Sequence, residues 1–301
     1  MRRIFRTDEF VPALALLLMA IIPVVEILAR PLLGKGVDNA PILVQHLGLV
    51  MSMFGALYAY KLGHLSSLGV LVGALKTPAR IFSGIICLLL AWASWFFVST
   101  ERSAHQVLAY AIEIWVFQLV MPIGFFLLGW RIITDGLNSK LIKLLAIVGA
   151  TSLSYLINEY LDGHEIELTA WLVTLLVMLL GGAPIFAIIA ALAMGLFWQD
   201  GLPISSIALS HYQITVNPSL PALPLFTLAG LIFAATGSAN RLGQVFMAFF
   251  GSGVRGTVFA TTVLCSCFTA FTGGSGVTIL ALGGLLLKLL NSTGYSEKKG
   301  I

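Results

Sequence analysis

The chain has 301 residues, of which 58% are hydrophobic and only 10% charged, and its mean hydropathy is +0.99. Soluble domains carry about 25% charged residues, so this composition excludes an ordinary soluble domain and indicates a multi-pass membrane protein. The net charge of +4 does not indicate a nucleic-acid-binding protein, because the basic residues lie singly between apolar runs and form no stripe.

Apolar stretches that can cross a bilayer fill the first half of the chain, since a crossing helix needs about 20 apolar residues. In the first of them, Glu26 and Arg30 stand where a signal peptide has its small-residue cleavage site, so we predict that this span is not cleaved. These two residues are one helical turn apart and can form an interfacial salt bridge or contact a partner subunit. The predicted spans are Val11–Leu28, Ile42–Tyr60, Ile81–Val98, Ile114–Ile132 and Leu141–Ile157.

An acidic segment follows the fifth span and is the sharpest change of composition in the chain. Its carboxylates are those of Glu159, Asp162, Glu165 and Glu167, and we place a domain boundary near residue 165. Beyond it, residues 168–180 and 184–198 are apolar and are separated by Gly181-Gly182-Ala183-Pro184. Because glycine and proline interrupt helices, this pattern predicts two short helices or one broken helix.

A proline-rich loop is predicted over residues 203–224, and its prolines are Pro203, Pro218, Pro221 and Pro224. A further apolar span is predicted over Leu225–Ala235. In the stretch 240–251, large apolar residues recur at helical spacing on one side: Leu242, Val245, Phe246, Phe249 and Phe250. This pattern predicts an amphipathic helix that lies at the membrane interface.

The stretch Thr272-Gly273-Gly274-Ser275-Gly276 interrupts one of the most apolar parts of the chain. Three glycines in five residues suit a turn better than a continuous helix. With apolar arms at Val254–Phe271 and Val277–Leu290, the stretch forms the tip of a predicted helix-turn-helix hairpin. Irregular backbone is tolerated at membrane depth only where it is packed in protein or lines a polar cavity.

Two interpretations of this tip are open. In the first it is an ion site, because the C-terminal end of the first arm and the freed carbonyls favour a cation, and the N-terminal end of the second arm favours an anion. The hydroxyl groups of Thr272, Ser275 and Thr278 add oxygen ligands suited to sodium or another hard cation. In the second the tip is a plain loop between two full spans. The arm lengths do not decide, since both arms exceed half a bilayer.

The basic residues predict the topology. With the N-terminus in the cytoplasm, 14 of the 17 Lys and Arg residues fall on the cytoplasmic side, and Arg30, Lys35 and Arg102 fall outside. Removing the fifth span would invert everything after residue 157, so the charge distribution supports that span.

No pattern typical of an enzyme or of a metal site is found in the sequence. The five histidines have no spacing typical of metal ligands, and loop or interfacial positions are favoured for them: His46, His64, His105, His164 and His211. The three cysteines, Cys87, Cys265 and Cys267, lie in apolar segments and are interpreted as small packing residues. We therefore predict a protein that is not an enzyme and that has no cofactor.

Residues 221–251 and 256–286 resemble the large membrane subunit of the TRAP transporters, the tripartite ATP-independent periplasmic transporters. The matching features are Pro224-Leu225-Phe226, the turn over Gly237–Leu242 and the tip at Gly273–Gly276, while Leu179–Leu196 resembles the start of that subunit. The first 140 residues resemble the small four-helix subunit in their span count and in the position of His64. Some family members fuse the two subunits through an additional helix, which accounts for Leu141–Ile157.

The resemblance implies an all-α polytopic membrane fold in three parts. These are a small-subunit-like four-helix domain (1–140), a connecting helix with an acidic periplasmic loop (141–165) and the N-terminal portion of a large-subunit-like transport domain (166–301). It also implies sodium-driven uptake, across the bacterial inner membrane, of an organic acid delivered by a periplasmic substrate-binding protein. Sodium is then the coupling ion, and the implied ion and substrate site includes Thr272, Gly273, Gly274, Ser275, Gly276 and Thr278.

The large subunit of this family is an inverted repeat with a second hairpin, whereas this sequence ends shortly after the first. We therefore expect a truncated chain whose partners include the missing C-terminal part of the large subunit. The alternative is a non-transporting membrane scaffold, or the remnant of a disrupted transporter gene.

Overall fold

The computed structural model describes most of the chain and shows an all-α membrane protein. The described residues are 7–70, 72–161, 166–236, 253–272 and, singly or in pairs, Arg241, Val245, Ala248, Phe249, Thr278, Ile279, Leu282, Gly283 and Leu286. They are mostly helical, which confirms the predicted fold class. The chain divides into two compact units, residues 1–218 and 219–301, each of which is described by itself.

The first unit contains the membrane-crossing helices. Its helices are α1 (Thr7–Leu33), α2 (Ala40–Lys61), α3 (Val72–Arg102), α4 (Ile114–Gln118), α5 (Val120–Thr134), α6 (Lys140–Leu161), α7 (Leu168–Leu180), α8 (Ile185–Gln199) and α9 (Ser205–Thr215). Five segments of the described chain are long and apolar enough to cross a membrane: α1, α2, α3, α4 with α5, and α6. All five predicted spans are therefore confirmed as helical. Each observed segment contains the whole of its predicted span.

Helix α3 is the centre of the first unit. It contacts α5, α6, α7, α8 and α9, while α1 packs on α2 and α2 packs on α5. In the most apolar window of each helix, 67% of the residues of α3 are buried but only 11% of those of α1. The outer helices expose large apolar side chains such as Leu141 and Leu145. Exposure of this kind is expected in a bilayer, where lipid tails are as apolar as leucine.

Glycines bring α3 and α5 into close contact. A Cβ atom on Gly129 of α5 would lie 3.1 Å from the carbonyl oxygen of Gly84 on α3 and 3.2 Å from the Cβ of Cys87. A Cβ on Gly84 would overlap the side chain of Ile133. Small residues at a helix contact allow two backbones to approach, which is the main route to helix association in lipid.

A short β-hairpin connects α3 to α4. Strands β1 (Val107–Ala109) and β2 (Ile112–Glu113) are antiparallel, and both turn residues, Tyr110 and Ala111, have positive φ. Positive φ at both central residues is typical of a type I′ turn. The indole N–H of Trp115 donates a hydrogen bond to the Glu113 carboxylate, and this bond, together with one from His105, lowers the pKa of Glu113.

Two predictions about the middle of the chain are decided by the structure. The apolar segments on either side of Gly181-Gly182 form separate helices, α7 and α8, and not one broken helix. The prediction of a continuous loop over 203–224 is wrong, since α9 forms within it. The prolines flank this segment: Pro203 precedes α9 and Pro218 follows it, so neither removes a hydrogen bond from the helix interior.

The second unit contains α10 (Ala222–Ala235) and α11 (Val254–Thr272), which pack against each other. Helix α10 has 14 residues, so the predicted apolar span is a helix of about 21 Å, shorter than the hydrocarbon core. Of the predicted amphipathic helix over 240–251, only four residues are described, and all four are helical and exposed: Arg241, Val245, Ala248 and Phe249. The rest of that prediction lies outside the described residues.

The contact between α3 and α5 predicts the effect of filling it. Replacing Gly129 with Leu forces side-chain atoms into the neighbouring helix and should lower the free energy of unfolding by about 1–3 kcal/mol, in the range of overpacked cores. Gly149 on α6 is the control, because a Cβ there meets no atom within 4 Å. Thermal unfolding of the purified protein in detergent should show a lower midpoint for Gly129→Leu and no decrease for Gly149→Leu. Equal midpoints would contradict the close contact.

Candidate functional site

The predicted hairpin is the first candidate site, and the described residues show its two arms side by side. Leu282 and Leu286 of the second arm pack on Leu264 and Phe268 of α11. Nearer the tip, the hydroxyl oxygens of Thr269 and Thr278 lie 2.9 Å apart and share a hydrogen bond. Thr269 and Thr278, close to the tip, contact each other, and residues farther from the tip in the two arms also contact each other. The two arms therefore run antiparallel.

The structure describes two of the six predicted site residues. Thr272 is the last residue of α11, and the side chain of Thr278 is buried. Gly273, Gly274, Ser275 and Gly276 lie outside the described residues. Antiparallel arms are common to both interpretations of the tip, the ion site and the plain loop, so the assignment of these residues stays a prediction.

Thr269 is a residue of the hairpin that the sequence reasoning missed. Its hydroxyl group faces that of Thr278, and the two residues stand at equal distances from Gly273-Gly274. Two arms that pair around a tip bring such equidistant residues together, so the symmetry of the sequence about the tip could have identified it. The pair therefore brings two hydroxyl oxygen atoms together beside the tip.

A second candidate site is a buried polar cluster in the first unit, formed by His46, Gln118 and Tyr212. The Nδ1 atom of His46 lies 2.8 Å from the carbonyl oxygen of Ile42, and its Nε2 lies 2.8 Å from the hydroxyl oxygen of Tyr212. Because a carbonyl can only accept, Nδ1 carries the proton of the neutral ring and Nε2 accepts the hydroxyl proton of Tyr212. The Gln118 side chain lies close to the Tyr212 hydroxyl group.

This polar cluster joins distant parts of the chain. His46 belongs to α2, Gln118 to α4 and Tyr212 to α9, and the aromatic rings of Phe117 and Phe97 pack against its members. The side-chain oxygen of Gln118 is buried and has no hydrogen-bond partner among the described residues. A buried polar group is costly unless it is paired, so the bonds of this cluster fix the position of α9 against α2 and α4.

The loop or interfacial position favoured for the histidines is wrong for His46. Its side chain is 3% exposed and lies in a membrane-crossing helix, where Tyr212 and the Ile42 carbonyl satisfy both ring nitrogens. His211, on α9, packs on Phe125, and burial lowers the pKa of its ring. His105 is exposed and contacts Glu113, as expected for a loop histidine. Within the described residues, no group of three His, Cys, Asp or Glu side chains could hold a metal ion.

The predicted pair of Glu26 and Arg30 is confirmed. A guanidinium nitrogen of Arg30 lies 2.7 Å from a carboxylate oxygen of Glu26, and the backbone N–H of Val37 donates to the same carboxylate. The carboxylate therefore holds the turn between α1 and α2 as well as pairing with Arg30. The salt bridge within the chain is thus present, and a contact of this pair with a partner subunit stays a prediction.

The fold and the hairpin together define a multi-pass helical membrane protein with a second, hairpin-bearing unit. Comparison with known families assigns both parts of the chain. Residues 19–139 match the family described as tripartite ATP-independent periplasmic transporters, DctQ component, and residues 172–301 match the DctM component of the same transporters. The chain belongs to the TRAP transporter family, as a membrane component that joins DctQ-type and DctM-type sequence.

Individual relatives agree with this assignment. The chain is 33% identical over 132 residues to the ectoine TRAP transporter large permease protein TeaC of Halomonas elongata, covering 43% of this chain and 31% of that protein. It is 28% identical over 133 residues to the C4-dicarboxylate TRAP transporter large permease protein DctM of Vibrio cholerae, covering 42% of this chain and 29% of that protein.

A third relative aligns over more of the chain. The isethionate TRAP transporter permease protein DctMQ of Oleidesulfovibrio alaskensis is 25% identical over 188 residues, which is 60% of this chain and 29% of that protein. The chain therefore spans about a third or less of the length of these relatives. All three are permeases by name, so the class of membrane enzyme is set aside.

The polar cluster predicts an asymmetry between two tyrosine substitutions. Tyr212→Phe removes the hydroxyl group that donates to His46, and should lower the free energy of unfolding by about 1–3 kcal/mol, the cost of leaving a buried polar group unsatisfied. Tyr58→Phe makes the same chemical change at a half-buried residue of α2 and should shift it by less than about 0.5 kcal/mol. Thermal unfolding in detergent measures both, and an unchanged Tyr212→Phe protein would show that the cluster contributes nothing to stability.

Proposed function

We propose that this chain is part of a sodium-coupled TRAP transporter that takes up an organic acid. The observation that carries the proposal is the hairpin of the DctM-type region, whose arms pack antiparallel through Leu264, Phe268 and Leu282 and are joined by Thr272 to Gly276. Transporter sites are commonly built from interrupted helices near the membrane midplane, where helix ends and free carbonyls face the ion.

The chemistry of the hairpin supports sodium as the coupling ion. Helix α11 ends at Thr272, so the carbonyl groups of its last turn have no partners within the helix and carry the negative end of its dipole. The paired hydroxyl groups of Thr269 and Thr278 lie beside this end and are neutral oxygen donors. Uncharged oxygen ligands in this arrangement suit a hard monovalent cation.

The partners follow from how much of its relatives the chain represents. It aligns with about 30% of each large permease, so we propose that the transport unit contains further large-subunit sequence and receives its substrate from a periplasmic binding protein. Of the substrates in the relatives' names, C4-dicarboxylates are organic acids, which supports that substrate class.

We place the protein in the bacterial inner membrane with its N-terminus in the cytoplasm. Support comes from the basic residues at the ends of α2 and α5 and the beginnings of α3 and α6. Their side chains line one cavity and therefore share one end of the first unit, as the positive-inside rule requires of cytoplasmic residues: Lys61, Arg131, Lys76, Arg80 and Lys143.

The proposed ion site predicts the result of a substitution at the tip. Replacing Ser275 with Leu removes a hydroxyl ligand and adds bulk beside the ion, so sodium-dependent uptake should fall at least tenfold. The measurement is uptake of a labelled C4-dicarboxylate into liposomes that contain this chain, the further large-subunit sequence and the binding protein. An imposed sodium gradient is compared with an equal potassium gradient.

Ser266→Leu is the matched control, since Ser266 is an exposed residue of the same hairpin and is 9 positions away in sequence. It should leave uptake within about twofold of the unsubstituted protein, because surface changes rarely matter. Uptake by Ser275→Leu with its sodium dependence intact would refute the ion site. Absence of uptake from the assembled unsubstituted system would instead favour the membrane scaffold.

A further inference from the structure

A basic cavity of about 750 Å³ lies at one end of the first unit. Its wall is formed by the C-terminal ends of α2 and α5, the N-terminal parts of α3 and α6, and the turn between α7 and α8. The charged side chains among its lining residues are Lys61, Lys76, Arg80, Arg131, Lys143 and Asp135. Five cationic groups and one carboxylate therefore face the same space, although they come from four different helices and a turn.

Several of these charged groups have partners among the described residues. The Asp135 carboxylate accepts a hydrogen bond from the Tyr60 hydroxyl at 3.2 Å. Lys61 lies 3.7 Å from a carboxylate oxygen of Glu9, and Arg131 donates to the carbonyl oxygen of Leu57 at 3.3 Å. The Nε atom of Arg80 is buried and has no hydrogen-bond partner among the described residues. Over the part of the chain that the structure describes, the five basic groups of the cavity outnumber the two carboxylates, Asp135 and Glu9, and an excess of positive charge attracts an anion.

An apolar groove lies next to this cavity in the first unit, and the two share lining residues. The groove has a volume of about 450 Å³ and is lined by residues of α1, α2 and α5, among them Val11, Phe54, Leu127 and Trp130. Arg131 and Thr134 line both the cavity and the groove. The basic cavity and the apolar groove thus share two side chains. A site with a basic part beside an apolar part suits an amphiphilic ligand better than a small soluble ion.

We propose that the basic cavity and the apolar groove together bind one phospholipid with an anionic headgroup. The phosphodiester accepts hydrogen bonds from the guanidinium and ammonium groups of the cavity, and an acyl chain lies in the groove between α1, α2 and α5. Guanidinium groups match phosphate oxygens in geometry, and basic pockets between membrane helices are suited to acidic lipid headgroups.

The positive-inside rule explains why basic residues occur at this end of the helices, but it does not explain their arrangement. Topology needs only that they lie on one side of the membrane. Lys140 meets that requirement as an exposed residue outside the cavity. Lys143, about one turn later on the same helix, lines the cavity. This pair separates attraction to an anionic surface from binding in the cavity.

The test is a lipid titration of the purified full-length chain, followed by native mass spectrometry in detergent. Phosphatidylglycerol should bind at least tenfold more tightly than phosphatidylcholine of the same acyl composition. Lys143→Gln should weaken phosphatidylglycerol binding about fivefold, as expected for one removed basic charge, and Lys76→Gln with Lys143→Gln should weaken it further. Lys140→Gln should leave binding unchanged.

Two further arms identify the ligand class and the role of the groove. Leu127→Trp fills the groove without changing the charge of the protein, so it should weaken phosphatidylglycerol binding. Circular dichroism of the charge-substituted proteins checks that they are correctly folded. Inorganic phosphate at the same concentration should not compete. Equal binding of both lipids, equal loss with Lys140→Gln, or full competition by phosphate would overturn the proposal, the last by showing a site for a soluble anion.

Discussion

The constraint on which this structure depends is that hydrocarbon offers no water to a peptide group, so each backbone N–H and C=O within the bilayer must find its partner in the protein. Four of the five long apolar segments meet it as continuous helices, and in the fourth segment the backbone N–H and C=O of Leu119, between α4 and α5, are both hydrogen-bonded. The hydrophobic effect gives these helices little drive to associate with one another, because the lipid around them is as apolar as their side chains. Association relies instead on close packing, as between α3 and α5 at Gly84 and Gly129, and on internal hydrogen bonds.

The same constraint gives meaning to the polar groups that remain. His46 bonds to the Ile42 carbonyl and to the hydroxyl group of Tyr212, and the latter bond fixes α9 against the membrane-crossing helix α2. Helix α11 ends at Thr272, and the hydroxyl groups of Thr269 and Thr278 pair close to this end. In a membrane, the carbonyl oxygens at a helix end need partners, which a bound cation can supply, and for this reason the tip is proposed as an ion site and not as a plain connection.

Much of the fold could be predicted from local sequence. The length of an uninterrupted apolar stretch predicts a membrane-crossing helix, and the glycines at 273–276 predict the turn between the two hairpin arms. Helix α9 was missed because prolines on both sides resemble a loop in sequence, although none lies inside the helix. The contact of His46 with Tyr212 joins residues 166 positions apart, and no local pattern encodes it. The distribution of basic residues between successive spans predicts that they lie on one side of the membrane. That five of them line one cavity depends on how the helices pack, which the sequence does not show.

The central claim is that the tip at Thr272 to Gly276 binds sodium, and the protection of a cysteine at position 275 tests it most directly. Ser275→Cys keeps a small side chain; it is introduced with Cys87, Cys265 and Cys267 replaced by alanine, and Ser266→Cys serves as the reference. In membranes containing the assembled transporter, sodium should slow maleimide labelling at position 275, potassium should not, and position 266 should respond to neither. Labelling at position 275 that is equally fast in sodium and potassium would contradict the account.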